Sequence, residues 1–330
     1  MSANSTASRP GTGHKHADPL AAHDFSPADI PSQEGKTIVI TGGDGGLGKQ
    51  SARVLAAAGA SVIIACRNLE RAKAALDEIS SVASGAKPSL AHLNLGDLSS
   101  VRACAEEIAE HTDSIDVLIN NAGLMAVPYK ETDDGFESQI GVNHLGHFAL
   151  TGLLLPRLLS ASSSRVVTVS SIMHHQGKLD VDDLNFKRRK YLRINAYVQS
   201  KVANMLFAAE LARRAEAVDV PLTSVAVHPG AAATDLFDPI VPTMGLRRMV
   251  RQIIALTAAS VEEGAHSTLY AATMPDVRNN DFLGPTEFGG VKGPVSRCHR
   301  SRDADDRDLA RALWEKSVEL TGVDFAELNK

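Results

Sequence analysis

Short apolar runs separated by helix-length segments constrain this chain of 330 residues more than any other feature of its sequence. Each run is rich in β-branched or other apolar residues, and amphipathic stretches such as 68–81 lie between them. Short, continuously apolar strands that alternate with helices are typical of a parallel sheet covered on both faces. The sequence therefore predicts an α/β fold with a doubly wound parallel sheet, whose strands are 37–41, 61–65, 90–94, 115–120, 165–170 and 222–228.

The predicted domain occupies most of the chain. Residues 1–34 are rich in Ser, Pro, Gly, Ala and His without any periodicity, so we expect a disordered polar tail. Residues 35–322 show neither an internal repeat nor a linker and predict a single domain. A helix that places Leu309, Leu313 and Leu320 on one face closes this domain, and we expect residues 323–330 to form a short tail.

The segment 235–259, after the sixth predicted strand, is rich in apolar residues. In a doubly wound fold it lies where a substrate-binding loop and helix would be, although the pattern fits a surface helix on the core about as well. If the segment forms a lid, its apolar side chains favour a lipophilic substrate. These side chains include Phe237, Ile240, Met244 and Leu246.

Composition and charge argue against several classes of protein. The formal net charge is −5, which provides no basic surface for nucleic acid. Cys66, Cys104 and Cys298 are too few and too scattered for a disulfide framework or a zinc site, and His14 with His16 makes a poor metal site. No apolar run approaches the ~20 residues of a membrane span, and the N-terminus lacks the apolar stretch of a signal peptide. We therefore expect a soluble cytoplasmic enzyme without a metal.

A glycine-rich turn follows the first predicted strand and precedes a helix. In TGGDGGLG (41–48), Gly42, Gly46 and Gly48 have the spacing Gly-x-x-x-Gly-x-Gly. Glycines let the backbone turn tightly and approach a phosphate, and a helix N-terminus presents free N–H groups and a positive dipole. The position of this turn predicts a Rossmann fold that binds the pyrophosphate of a dinucleotide.

The end of the second predicted strand indicates which dinucleotide is preferred. An acidic side chain at this point would bind the ribose 2′-hydroxyl of NAD, but here Cys66 is followed by Arg67. An arginine suits the 2′-phosphate of NADP, and Lys49, directly after the glycine turn, can add a second positive charge. The two cations favour NADP over NAD.

Tyr197 and Lys201 are four residues apart in AYVQSKVAN, so a helix would place both on one face. The pKa of a free tyrosine is about 10, and a nearby ammonium group together with the positive nicotinamide ring of the cofactor would lower it towards neutral pH. Such a phenol can donate a proton to a carbonyl oxygen while hydride arrives at the carbon. The strand 165–170 leads into Ser170 and Ser171, and either hydroxyl can bond the substrate oxygen.

Several motifs in one order make the chain resemble the short-chain dehydrogenase/reductase superfamily from residue 36 to the C-terminal helix. They are TGGDGGLG (41–48), NNAG (120–123), VNHLGHF (142–148), VVTVSS (166–171), YVQSK (197–201) and HPG (228–230). ACRN, VNHLGHFALT and the long stretch between serine and tyrosine most resemble the retinol-dehydrogenase-like branch, which prefers NADP. The resemblance implies a Rossmann-fold oxidoreductase, in a class that often forms homo-oligomers.

The resemblance also implies roles for individual residues. Tyr197 corresponds to the acid/base tyrosine, and Lys201 to the lysine that binds the nicotinamide ribose and lowers the pKa of the tyrosine. Ser171 corresponds to the substrate-orienting serine, and Asn143 to the asparagine whose backbone supports a water of the proton relay. The implied cofactor-binding residues are Gly42, Gly46, Leu47, Gly48, Lys49, Arg67, Asn94, Leu95, Asn121, Ala122, Gly123, Tyr197, Lys201, Pro229, Gly230 and Thr234.

Three features depart from the family pattern. Asn94 stands where relatives usually have an aspartate that binds the adenine amino group, although an amide oxygen can accept the same bond. Asp44 replaces a common asparagine, and its charge disfavours a 2′-phosphate unless it faces away or pairs with Lys49 or Arg67. Many relatives carry an N-terminal membrane anchor, whereas this sequence begins with a polar segment.

Together these patterns predict an NADP-dependent oxidoreductase that interconverts a carbonyl and an alcohol on a lipophilic small molecule, with NAD as the less favoured cofactor. Two other hypotheses are a non-catalytic NADP-binding scaffold or sensor, and a sugar-nucleotide epimerase or dehydratase. The set of Asn143, Ser171, Tyr197 and Lys201 argues against the scaffold. The glycine spacing argues against the epimerase, because such enzymes usually have Gly-x-x-Gly-x-x-Gly.

Overall fold

The computed structural model describes residues 25–231 and 260–329. The segment predicted to form a lid, 235–259, and the cofactor-binding candidate Thr234 lie outside the described residues. The described strands form one eight-stranded sheet in the order β3-β2-β1-β4-β5-β6-β7-β8. They are β1 Thr37–Thr41, β2 Ser61–Cys66, β3 Ser89–His92, β4 Val117–Asn120, β5 Ser164–Val169, β6 Leu222–Val227, β7 Phe282–Glu287 and β8 Lys292–Arg297.

Neighbouring strands are parallel, except that β8 runs antiparallel to β7. The helices are α1 Gly46–Ala57, α2 Leu69–Ser80, α3 Leu98–His111, α4 Ser138–Ile140, α5 Gly146–Leu159, α6 Arg193–Ala217, α7 Val261–Thr273 and α8 Arg307–Thr321. None of the helices within the described ranges is long and apolar enough to cross a membrane.

Helices cover both faces of the sheet. Successive strand residues point to opposite faces, so a continuously apolar strand must be buried on both. In β1, Ile38 and Ile40 belong to a core cluster with α1, α2 and α7, whereas Val39 belongs to a cluster with α3, α5 and α8. All three side chains have no exposed surface. Strands buried on both faces explain the continuously apolar runs, and the predicted doubly wound α/β fold is confirmed.

The strand order shows at which edge of the sheet a ligand can bind. The chain proceeds from β1 through β2 to β3 on one side, and then returns to β4 on the other side of β1. In an open parallel sheet, this reversal leaves a crevice at the carboxyl ends of the strands, where ligands bind. The segments that follow β1, β4, β5 and β6 start at residues 42, 121, 170 and 228, and they contain most of the residues singled out in the sequence.

Both ends of the described chain extend the packed domain beyond the predicted boundaries. Within the predicted tail 1–34, Phe25 is buried and contacts the rings of His266 and Tyr270 on α7. In the predicted tail 323–330, Phe325 has no exposed surface and packs against Phe148. Both aromatic side chains lie in polar surroundings in the sequence, so periodicity alone did not include them in the core.

The predicted C-terminal helix is present as α8. Leu313 and the partly buried Leu309 and Leu320 pack in one cluster with Val202 and Leu206 of α6. An Asp306 side chain that accepts bonds from two backbone N–H groups begins the helix. The helix thereby covers α6, which carries the predicted tyrosine and lysine, and holds it against the sheet.

Candidate active site

The glycine-rich turn connects β1 to α1 in a conformation that requires glycine. Gly42 and Gly46 have φ angles of +67° and +51°, which disfavour residues with a Cβ. A Cβ at Gly48 would lie 2.3 Å from the carbonyl oxygen of Gly42. The first turn of α1 leaves backbone N–H groups without a helical partner, as at any helix N-terminus. Leu47 lies within this turn, which fits a pyrophosphate as the sequence predicts.

The NNAG turn after β4 is bonded to the glycine turn. Asn121 donates a side-chain bond of 2.8 Å to the carbonyl oxygen of Thr41. Ala122 packs against Gly42, where a Cβ would lie 3.0 Å from that of the alanine. Gly123 faces α6, because a Cβ at this position would lie 3.7 Å from Nζ of Lys201. The structure therefore brings the predicted phosphate turn and the predicted lysine to the same crevice.

Tyr197 and Lys201 lie on one face of α6, as the spacing predicts. Their exposed fractions are 5% and 4%, so both functional groups are shielded from water. Nζ of Lys201 donates a bond of 3.0 Å to the carbonyl oxygen of Val169 and lies 5.7 Å from the centroid of the Tyr197 ring. The ammonium group is thus anchored at the end of β5, close to the phenol.

The structure distinguishes Ser170 from Ser171, which the spacing in the sequence could not do. Ser170 is buried and donates its hydroxyl to the backbone carbonyl of Lys201 at 2.8 Å, so it serves the packing of α6 against β5. Ser171 is only partly buried, its hydroxyl accepts the backbone N–H of Met173, and its side chain interacts with the Tyr197 phenol. Ser171 is therefore the serine that can share a substrate oxygen with the tyrosine.

Burial dominates the electrostatics of Tyr197 and Lys201. It raises the pKa of Tyr197 to about 12, and the Ser171 side chain only partly opposes this rise. It lowers the pKa of Lys201 to about 8, because the charged ammonium loses its hydration. The protein groups alone therefore do not produce the lowered tyrosine pKa, which we expected from the lysine together with the nicotinamide ring. At neutral pH the phenol carries its proton and Lys201 is mostly charged.

Asn143 lies beside the pair in a π-helical turn, Gly141–Leu145, that precedes α5. Its side chain accepts the backbone N–H of Leu124 at 2.7 Å and donates to the carbonyl of the same residue at 2.9 Å. It also donates to the hydroxyl of Ser200 on α6 at 2.8 Å. Asn143 thus joins the NNAG turn to the helix that carries the tyrosine and lysine.

The end of the crevice beside β2 contains a cation that the sequence analysis missed. Asp44 pairs with Arg71 at 3.5 Å, rather than with Lys49 or Arg67. The Arg71 guanidinium lies over the glycine turn, 2.2 Å from the place that a Cβ of Gly45 would occupy. Lys49 instead pairs with Glu78 at 2.8 Å, and its role as a second positive charge near the 2′-phosphate stays a prediction. Arg67 is exposed.

The signal that could have identified Arg71 is a helix cap. The Asn68 side chain accepts the backbone N–H of Arg71 and caps α2, which begins at Leu69. That cap places the arginine in the first turn of the helix, directly after β2 and facing the glycine turn.

The remaining candidates lie at the same edge of the sheet. Asn94 and the buried Leu95 follow β3, and the Asn94 amide oxygen accepts the backbone N–H of Gly96 at 3.2 Å. Pro229 and Gly230 follow β6, and Gly230 has a φ angle of +69°. The described residues include no group of three or more His, Cys, Asp or Glu side chains that could hold a metal ion.

An apolar wall adjoins the phenol. Met125, Ala126 and Val198 are buried in one cluster with Tyr197, and Ile194 packs against it partly buried. Two segments build this wall, the loop after β4 and α6. The segment from which we expected apolar contacts with the substrate, 235–259, lies outside the described residues.

Comparisons with known proteins agree with this geometry. A family model described as short chain dehydrogenase matches residues 36–245. Human retinol dehydrogenase 13 is 39% identical over 301 residues, which cover 91% of this chain and 87% of that protein. Human retinol dehydrogenase 12 is 40% identical over 289 residues, which cover 88% of this chain and 87% of that protein.

A crystal structure of an uncharacterized protein from Mycobacterium paratuberculosis is also similar. It is 44% identical, with a TM-score of 0.76, and the match covers 92% of this chain and 99% of that chain. The family match spans the glycine turn, the NNAG turn and the serine, tyrosine and lysine motifs. The chain therefore belongs to the short-chain dehydrogenase family, whose oxidoreductases act on CH–OH groups with NAD or NADP.

Proposed function

We propose that this protein is an NADP-dependent oxidoreductase that interconverts a lipophilic carbonyl compound and its alcohol, with retinoids as the candidate substrate class. The observation that carries the proposal is the Tyr197 phenol, buried beside Ser171 and Lys201 at the carboxyl edge of the sheet. The retinoid class rests on the names of the similar retinol dehydrogenases and on the apolar wall next to the phenol.

Each group of the site has a defined task. A bound nicotinamide cofactor supplies or accepts the hydride. Ser171 and Tyr197 hold the substrate oxygen, and the phenol donates its proton to that oxygen during reduction. A free tyrosine is already protonated at neutral pH, and burial raises the pKa of Tyr197 further, so the phenol is available as an acid. The Lys201 ammonium stabilises the phenolate that remains, and in oxidation the phenolate takes the proton back.

Preference for NADP is supported by two arginines at the end of β2. Arg67 is exposed directly after the strand, and Arg71 lies over the glycine turn. The pairing of Arg71 with Asp44 also reduces the repulsion that a lone carboxylate would exert on a 2′-phosphate. Guanidinium groups suit phosphate because they can form bidentate, charge-assisted hydrogen bonds.

Replacing Arg71 by alanine should weaken NADPH and spare NADH. We expect the Kd of NADPH to rise about 10-fold to 100-fold, the range of a lost charge-assisted hydrogen bond together with the unpaired Asp44. The Kd of NADH should change by less than about threefold, because it has no 2′-phosphate. Fluorescence titration of both cofactors measures the effect.

Lys73→Ala is the matched control, since Lys73 lies on the same helix and pairs only locally with Glu70. Equal weakening of both cofactors by Arg71→Ala would mean that the arginine supports the fold of the turn. An unchanged ratio would remove it from cofactor selection.

A chain-length series tests the proposed function as a whole. We expect NADPH-dependent reduction of all-trans-retinal and of straight-chain aldehydes, with kcat/KM rising about fourfold for each added methylene that becomes buried. Absorbance of NADPH at saturating cofactor follows the reaction, with NADH run in parallel. No turnover of any aldehyde, ketone or alcohol, or a kcat/KM that is flat or falls with length, would contradict the proposal.

A further inference from the structure

His147 is a fully buried titratable residue that the proposed chemistry does not use. It lies in the first turn of α5 and is 1% exposed. Its Nε2 lies 2.8 Å from the hydroxyl of Thr41, and its Nδ1 lies 3.1 Å from the backbone carbonyl oxygen of Asn143. One imidazole ring therefore connects the end of β1 to the π-helical turn.

The hydrogen bonds around Thr41 determine which ring nitrogen carries the proton. The threonine hydroxyl oxygen accepts the backbone N–H groups of Asn121 at 2.9 Å and Ala122 at 3.0 Å, which uses both lone pairs. The hydroxyl oxygen lies 2.8 Å from Nε2 of His147 and 3.4 Å from the carbonyl oxygen of Ile119, so its single proton is directed to the imidazole. The hydroxyl thus donates to Nε2, and His147 carries its proton on Nδ1 and donates it to the carbonyl oxygen.

The surroundings keep the ring neutral. Burial lowers the pKa of His147 to about 4, and the positive charge of Lys201 acts in the same direction. The bond to the Asn143 carbonyl opposes this shift only partly. The neighbouring His144, in the π-helical turn, is also held neutral by burial, with a pKa of about 3. His147 is therefore a fixed donor rather than an acid or base.

The residue that receives this bond lies at the centre of the site. The Asn143 side chain already binds both backbone groups of Leu124 and the hydroxyl of Ser200. Leu124 follows Gly123, which faces the Lys201 ammonium. The imidazole binds the backbone carbonyl oxygen of the same asparagine. A small rotation of this turn would move the groups that face the lysine.

We propose that His147 is a positioning residue for the proton-transfer machinery. Its Nδ1–H fixes the Asn143 carbonyl, and its contact with Thr41 ties that carbonyl to the turn that holds the cofactor. This inference rests on the proposed function, because only a proton-transferring site requires the segment that faces Lys201 to be held in one position.

Two amide variants separate the two bonds of the ring. His147→Asn places an amide nitrogen at the position of Nδ1, whereas His147→Gln reaches the position of Nε2. We expect His147→Asn to retain kcat within about threefold, and His147→Gln to lose about 10-fold to 100-fold, since small misplacements of catalytic groups have effects of this size. The KM for aldehyde and the Kd of NADPH should change little in either variant.

His144→Gln is the matched control, because His144 is equally buried in the adjoining π-helical turn but contacts Ser317 of α8 at 2.9 Å. We expect it to change the melting temperature without changing kcat per NADPH-binding site. If His147→Gln retains the wild-type kcat, or if both His147 variants lose activity only in proportion to folded protein, the positioning role is wrong.

The wild-type enzyme supplies a test that does not depend on variant folding. In ¹⁵N-histidine NMR spectra, His147 should remain neutral and protonated at Nδ1 between pH 6 and 9. A ring protonated at Nε2 or at both nitrogens would overturn the inference. An inactive wild-type enzyme in the aldehyde series would instead overturn the proposed function and leave this NMR result unaffected.

Discussion

Replacing Tyr197 by phenylalanine is expected to lower kcat by about 10³-fold or more, while the Kd of NADPH stays within about threefold. The substitution removes the phenol that faces Ser171 and leaves the apolar body of the side chain in its cluster with Met125 and Val198. The variant can still bind the cofactor, but it lacks the group that donates a proton to the substrate oxygen. Stopped-flow absorbance of NADPH with all-trans-retinal measures kcat, and fluorescence titration measures cofactor affinity.

Tyr270→Phe is the control for this prediction. Tyr270 is a second buried tyrosine, on α7, and its hydroxyl binds Asp276 outside the crevice. We expect this variant to retain the wild-type kcat even if its melting temperature falls. Residual activity of Tyr197→Phe within about 10-fold of wild type would remove the phenol from the reaction and with it the proposed mechanism.

The core of the fold could be predicted because burial on both faces gives the inner strands an unambiguous sequence signature. The hairpin of β7 and β8 lacked this signature. β7 contains Gly284 and Pro285, and β8 reads KGPVSR, so neither segment favours a strand by its composition. Pairing of β7 with β6 across more than fifty residues decides their conformation, and a local pattern does not contain that contact.

The pair that we propose as catalytic could be predicted from spacing, but the surroundings that set the pKa values of its two groups could not. Four-residue spacing placed Tyr197 and Lys201 on one helical face. The shift of their pKa values comes from burial, and the cluster that contains Tyr197 includes Met125 and Ala126, which are distant in sequence. The choice between Ser170 and Ser171 likewise depends on which hydroxyl the backbone of α6 engages. The π-helical turn at 141–145 interrupts no hydrophobic pattern, so periodicity gave no indication of it.

Replacing Lys201 by methionine should lower kcat by about 10²-fold or more and remove the alkaline limb of the pH profile. Burial disfavours the charged form of a lysine, so the pKa of Lys201 falls to about 8. The ammonium is therefore present below pH 8 and lost as the pH rises through that value. We expect kcat/KM for aldehyde reduction by the wild-type enzyme to fall over the same interval.

Lys201→Arg tests whether the charge, rather than the packing of the side chain, is responsible. A guanidinium remains protonated across the accessible pH range, so this variant should also lack the limb near pH 8 while retaining more activity than the methionine variant. The measurement is the pH dependence of kcat/KM from pH 6 to 10 for the three proteins, at saturating NADPH. A limb near pH 8 that persists in Lys201→Met would assign it to another group. Equal activity of the methionine and arginine variants would show that the buried charge does not stabilise the phenolate.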